Sequence, residues 1–419
     1  MKAVILIGGP SKGTRFRPLS LDIPKPLFPI AGVPIIQHHV EACNKLQCVT
    51  EVLIIGSYEA SDIQPFADEM SRENNIAIRY LQEGKKPLGT AGALYHFRDQ
   101  IKAGGEESFL ILNGDVCADF PLKQLLQFHK NKKAHLTIMA TDATREQSLN
   151  YGCLVLDHEN CVTHYVEKPS TFVSTIISCG VYVASNEIFE TMADVLYAEE
   201  SYEKPLPANG NGKDSAYISL EQDITTRLKN NNKLFALPVS NWWSQVKTAG
   251  SAIYVNGHYL SLYKLHKPER LAASPPHECE IIGDVFIHDS ATVHPSAVLG
   301  PNVAIGAGVN VGAGVRIRES IILDGAVIQG HSVILYSVVG KKTRIGEWAR
   351  VEGTPCDPNP DKPFAKMESQ PLFNKDGQLN PSATVLGTNV TLASERMLLN
   401  SIILPHKELT RDFKNEIVL

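Results

Sequence analysis

The C-terminal third of the chain carries aliphatic residues at intervals of six, and this repeat constrains the fold more than any other feature. A period of six fits neither an α-helix nor an alternating strand. It suits a triangular coil whose flat sides each take six residues and whose aliphatic side chains stack inward. Asn302, Gly308 and Gly314 are residue types that tolerate left-handed backbone at the corners of such a coil. The repeat therefore predicts a left-handed parallel β-helix over 278–419. Its two interleaved series are Ile281, Ile287, Val293, Leu299, Ile305, Val311, Ile317 and Leu323, and Val285, Ala291, Ala297, Val303, Val309, Val315, Ile321, Val327, Val333, Val339, Ile345 and Val351.

A proline-rich stretch at about 354–380 interrupts this repeat, which stops at Val351 and resumes around Leu386. Proline lacks the N–H group that the ladder of a β-helix requires, so these residues must leave the coil. An insertion of this kind can be a tolerated loop. Its length and its apolar residues favour a contact element instead. Those residues are Phe364, Met367, Leu372 and Phe373.

The first half of the chain alternates apolar strand segments with helical segments, beginning with the unbroken apolar run Ala3 to Ile7. Such a run is typical of a strand that is buried on both faces of a parallel sheet. The alternation predicts an α/β domain, doubly wound and Rossmann-like, over 1–256, joined to the β-helix through a helix and linker at 257–277. The glycine-rich loop after the first strand, with the basic residues that follow it, suits the phosphates of a nucleotide.

The composition limits the classes of protein to which the chain can belong. The chain has 419 residues, 43% of them hydrophobic and 20% charged, which is enough for two domains with separate cores. A net charge of −5 argues against a nucleic-acid surface. No apolar run approaches the roughly 20 residues that span a bilayer, and no targeting signal is recognisable, so we expect a cytoplasmic protein that binds no membrane. The eight cysteines form no C-x-x-C pair, so neither a zinc site nor a disulfide framework is indicated.

Three motifs near the N-terminus resemble those of the sugar-1-phosphate nucleotidyltransferases. They are G-T-R-F-R-P-L at 13–19, P-K-P at 24–26 and A-G-V-P-I-I-Q-H-H at 31–39. The resemblance implies that the nucleotide phosphates are held near Gly8, Gly9, Gly13 and Thr14, and that Arg15 and Lys25 occupy catalytic positions. The segment Q-E-G-K-K-P-L-G-T-A-G resembles the family's base-binding segment. It implies base contacts at Gln82, Glu83, Gly89 and Thr90.

Further matches place the sugar and metal subsites of this family. The N-Y-G and E-K-P segments resemble its sugar-binding strands and imply contacts to the sugar and its phosphate from Gly152, Glu167 and Lys168. The N-G-D segment implies that Asp115 is one of two carboxylates that hold Mg²⁺. Gln245, aligned through Trp243, stands where relatives specific for mannose-1-phosphate carry the second aspartate, and it also borders the sugar phosphate.

Several departures from the family pattern indicate a weakened enzyme. A glutamine brings no charge to Mg²⁺, which prefers anionic oxygen, so we expect the metal to bind weakly or to be lost. The loop residues Pro10 to Lys12 lengthen the phosphate cradle by two, and Gln222 replaces a lysine. Arg15 and Lys25 are then vestigial. Together these changes resemble the regulatory, alpha-type subunits of mannose-1-phosphate guanylyltransferase. That resemblance implies GDP-mannose as ligand, a catalytic beta-type subunit as partner, feedback inhibition of that partner, and homo- and hetero-oligomers formed through the β-helix.

Three other functions compete with this interpretation. The chain is alternatively an active guanylyltransferase that makes GDP-mannose and diphosphate from GTP and mannose-1-phosphate, or a structural scaffold. Retention of Glu83, Glu167 and Lys168 counts against a scaffold, and Gln245 counts against full activity. Hexapeptide repeats also build acyltransferases, but no catalytic histidine of that kind is recognisable.

Overall fold

A computed structural model describes residues 1–11, 13–84, 86–201, 217–229, 231–273, 278–367 and 371–419. Lys12, residues 202–216 and residues 274–277 of the predicted linker lie outside the described residues. The chain forms two compact units that interleave along the sequence. One comprises Met1–Lys12, Ile36–Trp243 and Asn359–Lys366, and the other comprises Gly13–Ile35, Ser244–Pro358 and Met367–Leu419. In the parts of the chain that are described, no helix is long and apolar enough to cross a membrane.

The first unit is built on a mixed sheet of nine strands. Lys2–Gly8 lies at its centre, parallel to Glu51–Gly56 on one side and to Ser108–Asn113 on the other. Ala3, Val4 and Ile5 are fully buried, as an apolar run in a two-sided sheet requires. Seven of the strands are, in spatial order, Val162–Glu167, Gly152–Leu156, Ile176–Ser185, Ser108–Asn113, Lys2–Gly8, Glu51–Gly56 and Ala77–Gln82, and Leu136–Asp142 and Leu234–Pro238 complete the sheet.

Helices cover this sheet, as the alternation of strand and helix predicts. The predicted Rossmann-like α/β domain is confirmed, with the addition that Ile176–Ser185 runs antiparallel to both of its long neighbours, Ser108–Asn113 and Leu136–Asp142. These two neighbours therefore run in the same direction as Lys2–Gly8, and their carboxyl ends lie at one edge of the sheet. The helices are Ile35–Asn44, Ala60–Asn74, Gly89–His96, Arg98–Lys102, Leu122–Lys132, Arg145–Ser148, Ile188–Ser201, the π-helical turn Leu220–Ile224 and Thr225–Lys229.

The second unit contains the predicted parallel β-helix, whose strands form three parallel sheets. Asn302, Gly308 and Gly314 have φ values of 59°, 62° and 65°, which confirms the predicted left-handed corners. The first sheet comprises Glu280–Ile281, Val298–Leu299, Arg316–Arg318, Val333–Leu335, Arg350–Glu352, Met397–Leu399 and Phe413–Lys414. The second comprises Val285–Ile287, Val303–Ile305, Ser320–Ile322, Ser337–Val339, Thr384–Leu386, Ile402–Ile403 and Ile417–Val418. The third comprises Thr292–Val293, Asn310–Val311, Val327–Ile328, Arg344–Ile345, Thr391–Leu392 and Glu408–Leu409.

The strict six-residue count fails in the middle of the coil. The predicted inward residues Val327 and Val333 are only half-buried, whereas their predecessors Ala326 and Ser332 are fully buried. The reason is a shorter corner at Glu319, which has φ 46°: Val303 pairs with Ser320, one residue earlier than the pairing of Val285 with Val303 would give. The inward positions therefore move one residue earlier after this corner, so this part of the prediction is wrong.

The predicted interruption lies between the strands Arg350–Glu352 and Thr384–Leu386. The ladder continues beyond it, because Val351 pairs with Leu398. Residues 368–370 of this segment lie outside the described residues. Of its apolar residues, Phe364, Leu372 and Phe373 are exposed. Whether they form a contact with another protein stays a prediction.

The long helix before the β-helix begins earlier than the predicted start at Gly257 and spans Ala249–His266. Thr248 caps it, since the Thr248 hydroxyl accepts a hydrogen bond from the Ser251 N–H at 3.3 Å. Gly257 lies inside the helix, and its lack of a side chain leaves room for Asn302, which would lie 3.2 Å from a β-carbon at this position. The local sign of this helix start is a single threonine, Thr248, which lies close to the motif around Trp243.

Candidate functional site

The loop after the first strand requires glycine at two successive positions. Gly8 has φ 64° and is exposed, while Gly9 is buried and a β-carbon there would collide with the Ser57 hydroxyl. The Ser57 N–H donates to the Gly8 carbonyl at 2.7 Å and closes the loop against the next strand. The sequence therefore keeps the backbone of this loop bare, as a phosphate-binding loop requires.

The basic segment that follows belongs to the second compact unit. Gly13 has φ 75° and begins a single 3₁₀ turn, Thr14–Phe16, on which Thr14 and Arg15 are exposed. Lys25 is half-buried and opens a second turn, Lys25–Leu27. A β-carbon at Gly13 would lie 3.4 Å from Cδ of Lys25, so the two residues are neighbours.

The predicted base-binding residues lie at the end of the strand Ala77–Gln82 and at the start of a helix. The Glu83 N–H donates to the Gly56 carbonyl at 2.7 Å, and the Tyr80 hydroxyl donates to the Tyr58 carbonyl at 2.6 Å. Burial raises the pKa of Tyr80 above its usual value. Gln82 is exposed and Glu83 is half-buried. The strand end is thus held firmly while the Gln82 side chain stays accessible.

The Gly89–Thr90 junction is fixed from the other side by residues that are distant in sequence. Gly89 has φ 82°, and a β-carbon there would collide with the Ile218 carbonyl. The Thr90 hydroxyl donates to Glu221 Oε2 at 2.8 Å and accepts from the Leu220 N–H at 2.8 Å. Thr90 therefore orients the helix, and its hydroxyl is occupied within the protein.

The predicted sugar-binding residues come together on two paired strands. Gly152 pairs directly with Glu167, and a β-carbon at Gly152 would collide with the Tyr165 hydroxyl. That hydroxyl donates to Glu167 Oε2 at 2.9 Å. Burial keeps the pKa of Tyr165 well above its usual value, so Tyr165 stays a donor at neutral pH. Lys168 is exposed, and its Nζ lies 3.5 Å from Glu167 Oε1. The result is an oriented carboxylate beside an exposed ammonium group.

Comparison with known proteins supports the family suggested by the motifs. The family model for nucleotidyl transferases matches residues 2–214, and the model described as the GMPPB C-terminal domain matches residues 281–418. A Drosophila melanogaster protein named mannose-1-phosphate guanylyltransferase regulatory subunit alpha is 57% identical over the full length of both chains. The human protein of the same name is 52% identical, again over the full length of both chains.

The chain belongs to the alpha regulatory-subunit family of mannose-1-phosphate guanylyltransferases.

Nucleotidyl transferases generally use Mg²⁺. The side chains at the two predicted metal positions of this chain match the ligand preference of that ion only in part. Asp115 follows the strand Ser108–Asn113, is half-buried, and supplies one carboxylate. Gln245 ends the short strand Trp243–Gln245 and offers a neutral amide oxygen. Within the described residues, no three His, Cys, Asp or Glu side chains are grouped as metal ligands.

The sequence motifs did not identify the residues that orient the side chains of the candidate site. Glu221 accepts hydrogen bonds from Thr90, Ser219 and Tyr182 and so links three separate segments. Tyr165 plays the corresponding part for Glu167. Neither residue carries a periodic signal, because each acts through contacts between segments that only folding brings together. The cysteines are free thiols, and all except Cys48 and Cys356 are buried.

Proposed function

We propose that this chain is a regulatory subunit that binds GDP-mannose and, through that binding, controls a catalytic mannose-1-phosphate guanylyltransferase subunit in the cytoplasm. The observation that carries this proposal is full-length similarity to proteins named as regulatory alpha subunits. The geometry supports it, because the Gly152, Tyr165 and Glu167 arrangement presents an oriented carboxylate suited to sugar hydroxyls.

The nucleotide and sugar contacts are assigned on this basis. Gly8, Gly9, Gly13 and Thr14 take the phosphates, and Gln82 with Glu83 takes the edge of guanine, to which an amide and a carboxylate can both pair. The Gly89–Thr90 junction supports the base from its backbone side. Glu167 and Lys168 take the sugar and its phosphate. Arg15, Lys25 and Asp115 are remnants of catalysis, and Mg²⁺ binds weakly because Gln245 adds no charge.

The test is calorimetric titration of the purified chain with GDP-mannose, beside a turnover assay with GTP, mannose-1-phosphate and Mg²⁺. We expect binding without appreciable turnover, and UDP-glucose serves as the control ligand. Absence of GDP-mannose binding would move the assignment to a structural scaffold. Turnover that matches a catalytic subunit would establish the second candidate, an active guanylyltransferase.

The variant Gln245→Asp separates these alternatives further. Restoring a carboxylate should strengthen Mg²⁺ binding in the presence of GDP-mannose, because the ion gains an anionic ligand. The matched control is Gln245→Asn, which keeps a neutral amide. If Gln245→Asp leaves Mg²⁺ affinity unchanged, Gln245 does not occupy the second metal position.

A further inference from the structure

The segment Asn359–Lys366 belongs to the first compact unit, although strands of the β-helix flank it in sequence. Gln147 holds its last residue from both sides. The Lys366 N–H donates to Gln147 Oε1 at 2.7 Å, and Gln147 Nε2 donates to the Lys366 carbonyl at 2.6 Å. Gln147 itself lies in the short helix Arg145–Ser148, which Thr144 caps. A paired side-chain amide of this kind fixes both the position and the direction of the lysine backbone.

The Lys366 side chain extends over an aromatic surface that is itself fixed. Its Nζ lies 5.9 Å from the centroid of the Trp243 ring, within the range of a cation–π contact. Trp243 is buried, and its Nε1 donates to the Cys179 carbonyl at 2.9 Å. Tyr151 packs edge-on against the same ring at 5.4 Å. The ammonium group is therefore placed over a rigid platform.

Among the described residues, no acidic side chain forms an ion pair with this ammonium group. Across the described residues, none places a carboxylate within salt-bridge distance of Lys366 Nζ, and none accepts a hydrogen bond from it. Burial lowers the pKa of Lys366, and the opposing electrostatic effects of Cys179 and Asp142 are smaller than the effect of burial. Burying a cation without a counter-ion costs free energy. An anion that binds beside the cation offsets part of that cost, so its binding is favoured.

The position of Lys366 coincides with the edge of the sheet where ligands bind in this type of fold. The strand Leu136–Asp142 runs parallel to Ser108–Asn113, since both are antiparallel to Ile176–Ser185. The helix that carries Gln147 follows the carboxyl end of Leu136–Asp142. Tyr151, which contacts Trp243, also accepts a hydrogen bond from the Lys168 N–H at 3.1 Å. Lys366 is therefore connected to the predicted sugar subsite through two contacting residues.

We propose that Lys366 is an anion-binding residue of this ligand edge, and that its ammonium group pairs with a phosphate oxygen of the nucleotide sugar. The identity of the ligand rests on the proposed function, whereas the anion site itself rests on the contacts of Lys366. A lysine in this position neutralises phosphate charge without a divalent cation. Ligand binding that persists in a chelator is the direct consequence.

The experiment compares Lys366→Met with Lys362→Met by calorimetry in the presence of EDTA. Methionine keeps an unbranched apolar side chain while removing the charge, and Lys362 is an exposed lysine of the same segment. We expect Lys366→Met to weaken GDP-mannose binding by about tenfold or more, since a hydrogen bond to a charged group is lost. Lys362→Met should bind like the wild type. Guanosine, which lacks phosphate, should bind equally to all three proteins, and Lys366→Arg should recover most of the affinity.

Each contrary result has a distinct meaning. If the wild type binds GDP-mannose and Lys366→Met binds it equally well, the proposal is overturned while the proposed function stands. Tighter binding by Lys366→Met also overturns it, because Lys366 would then obstruct the ligand. If the wild type does not bind GDP-mannose, the proposed function fails, and titration with mannose-1-phosphate and inorganic phosphate decides the anion site. Phosphate binding that Lys366→Met abolishes supports the site, and no phosphate binding overturns it.

Discussion

At the scale of single residues, the candidate site depends on polar side chains whose partners come from other segments. Glu167 is oriented by Tyr165, and the Thr90 hydroxyl is held by Glu221, 131 residues further along the chain. Such contacts determine the direction of a carboxylate more closely than the residue type does. A mutation of the orienting residue should therefore affect binding even though that residue need not touch the ligand.

Replacing Tyr165 with phenylalanine tests this expectation. The variant keeps the half-buried ring but removes the donor to the Glu167 carboxylate, so GDP-mannose affinity should fall by about tenfold or more, since a hydrogen bond to a charged group is lost. Calorimetry measures the affinity, and thermal unfolding checks that the fold is retained. Thr163→Val on the same strand, at an exposed position, is the matched control. Unchanged affinity in Tyr165→Phe would mean that Glu167 needs no orientation to act, or does not act.

A second residue, His129, links stability to pH. It is buried and contacts the hydroxyls of Thr137 at 2.9 Å and Ser185 at 3.0 Å. Burial lowers the pKa of His129 from 6.5 to about 4. Between these values the unfolded chain binds a proton that the folded chain does not. The free energy of unfolding should therefore decrease as the pH falls from about 6.5 to about 4, by about 3 kcal/mol in total from this residue.

Denaturant unfolding of the wild type and of His129→Gln at several pH values measures this contribution. The variant should be less stable at neutral pH but should lose less stability on acidification, because glutamine does not titrate. Equal pH dependence of the two proteins would show that His129 is not the titrating group.

At the scale of elements, the helix Ala249–His266 illustrates how a local cap defines a boundary. The Thr248 hydroxyl accepts from the Ser251 N–H, and the Ser251 hydroxyl accepts from the Thr248 N–H at 2.9 Å, which forms a reciprocal capping box. These bonds satisfy donors that otherwise have no intrahelical partner. The helix therefore starts at Ala249 although its apolar residues alone do not mark that point.

Thr248→Ala should lower the free energy of unfolding by about 1 kcal/mol through loss of the cap. Thr248→Ser preserves the hydroxyl and is the matched control, with an expected change close to zero. Equilibrium denaturation of the three proteins provides the comparison. A cost as large in Thr248→Ser as in Thr248→Ala would assign the effect to the lost methyl group and not to the cap.

At the scale of the whole molecule, the segment that leaves the β-helix is the feature that the fold itself does not require. Its residues 359–366 belong to the first compact unit, and Phe364, Leu372 and Phe373 are exposed. Ordering exposed apolar side chains costs conformational entropy, which contacts with another protein would offset. A role in transmitting ligand binding to a catalytic subunit stays a prediction.

Deleting Asp357 to Asp376 with a short linker tests that role in the reconstituted complex. We expect inhibition of the catalytic subunit by GDP-mannose to weaken, because the coupling between the two sites would lose its connecting element. Lys366→Met serves as the comparison, since it removes the charge and keeps the segment. Inhibition at full strength after the deletion would refute a regulatory role for the segment.

The sequence by itself determined the two architectures and most of the element positions, because burial repeats locally. The run Ala3 to Ile7 specifies a strand buried on both faces, and the aliphatic period of six specifies a coil, whatever the rest of the chain does. The motifs also located Gly152 and Glu167 on strands that do pair. Only the tertiary structure decided the one-residue shift after Glu319, the antiparallel strand Ile176–Ser185 and the contact between Gln147 and Lys366. These features depend on how distant segments meet, and a local pattern contains no information about a partner 219 residues away.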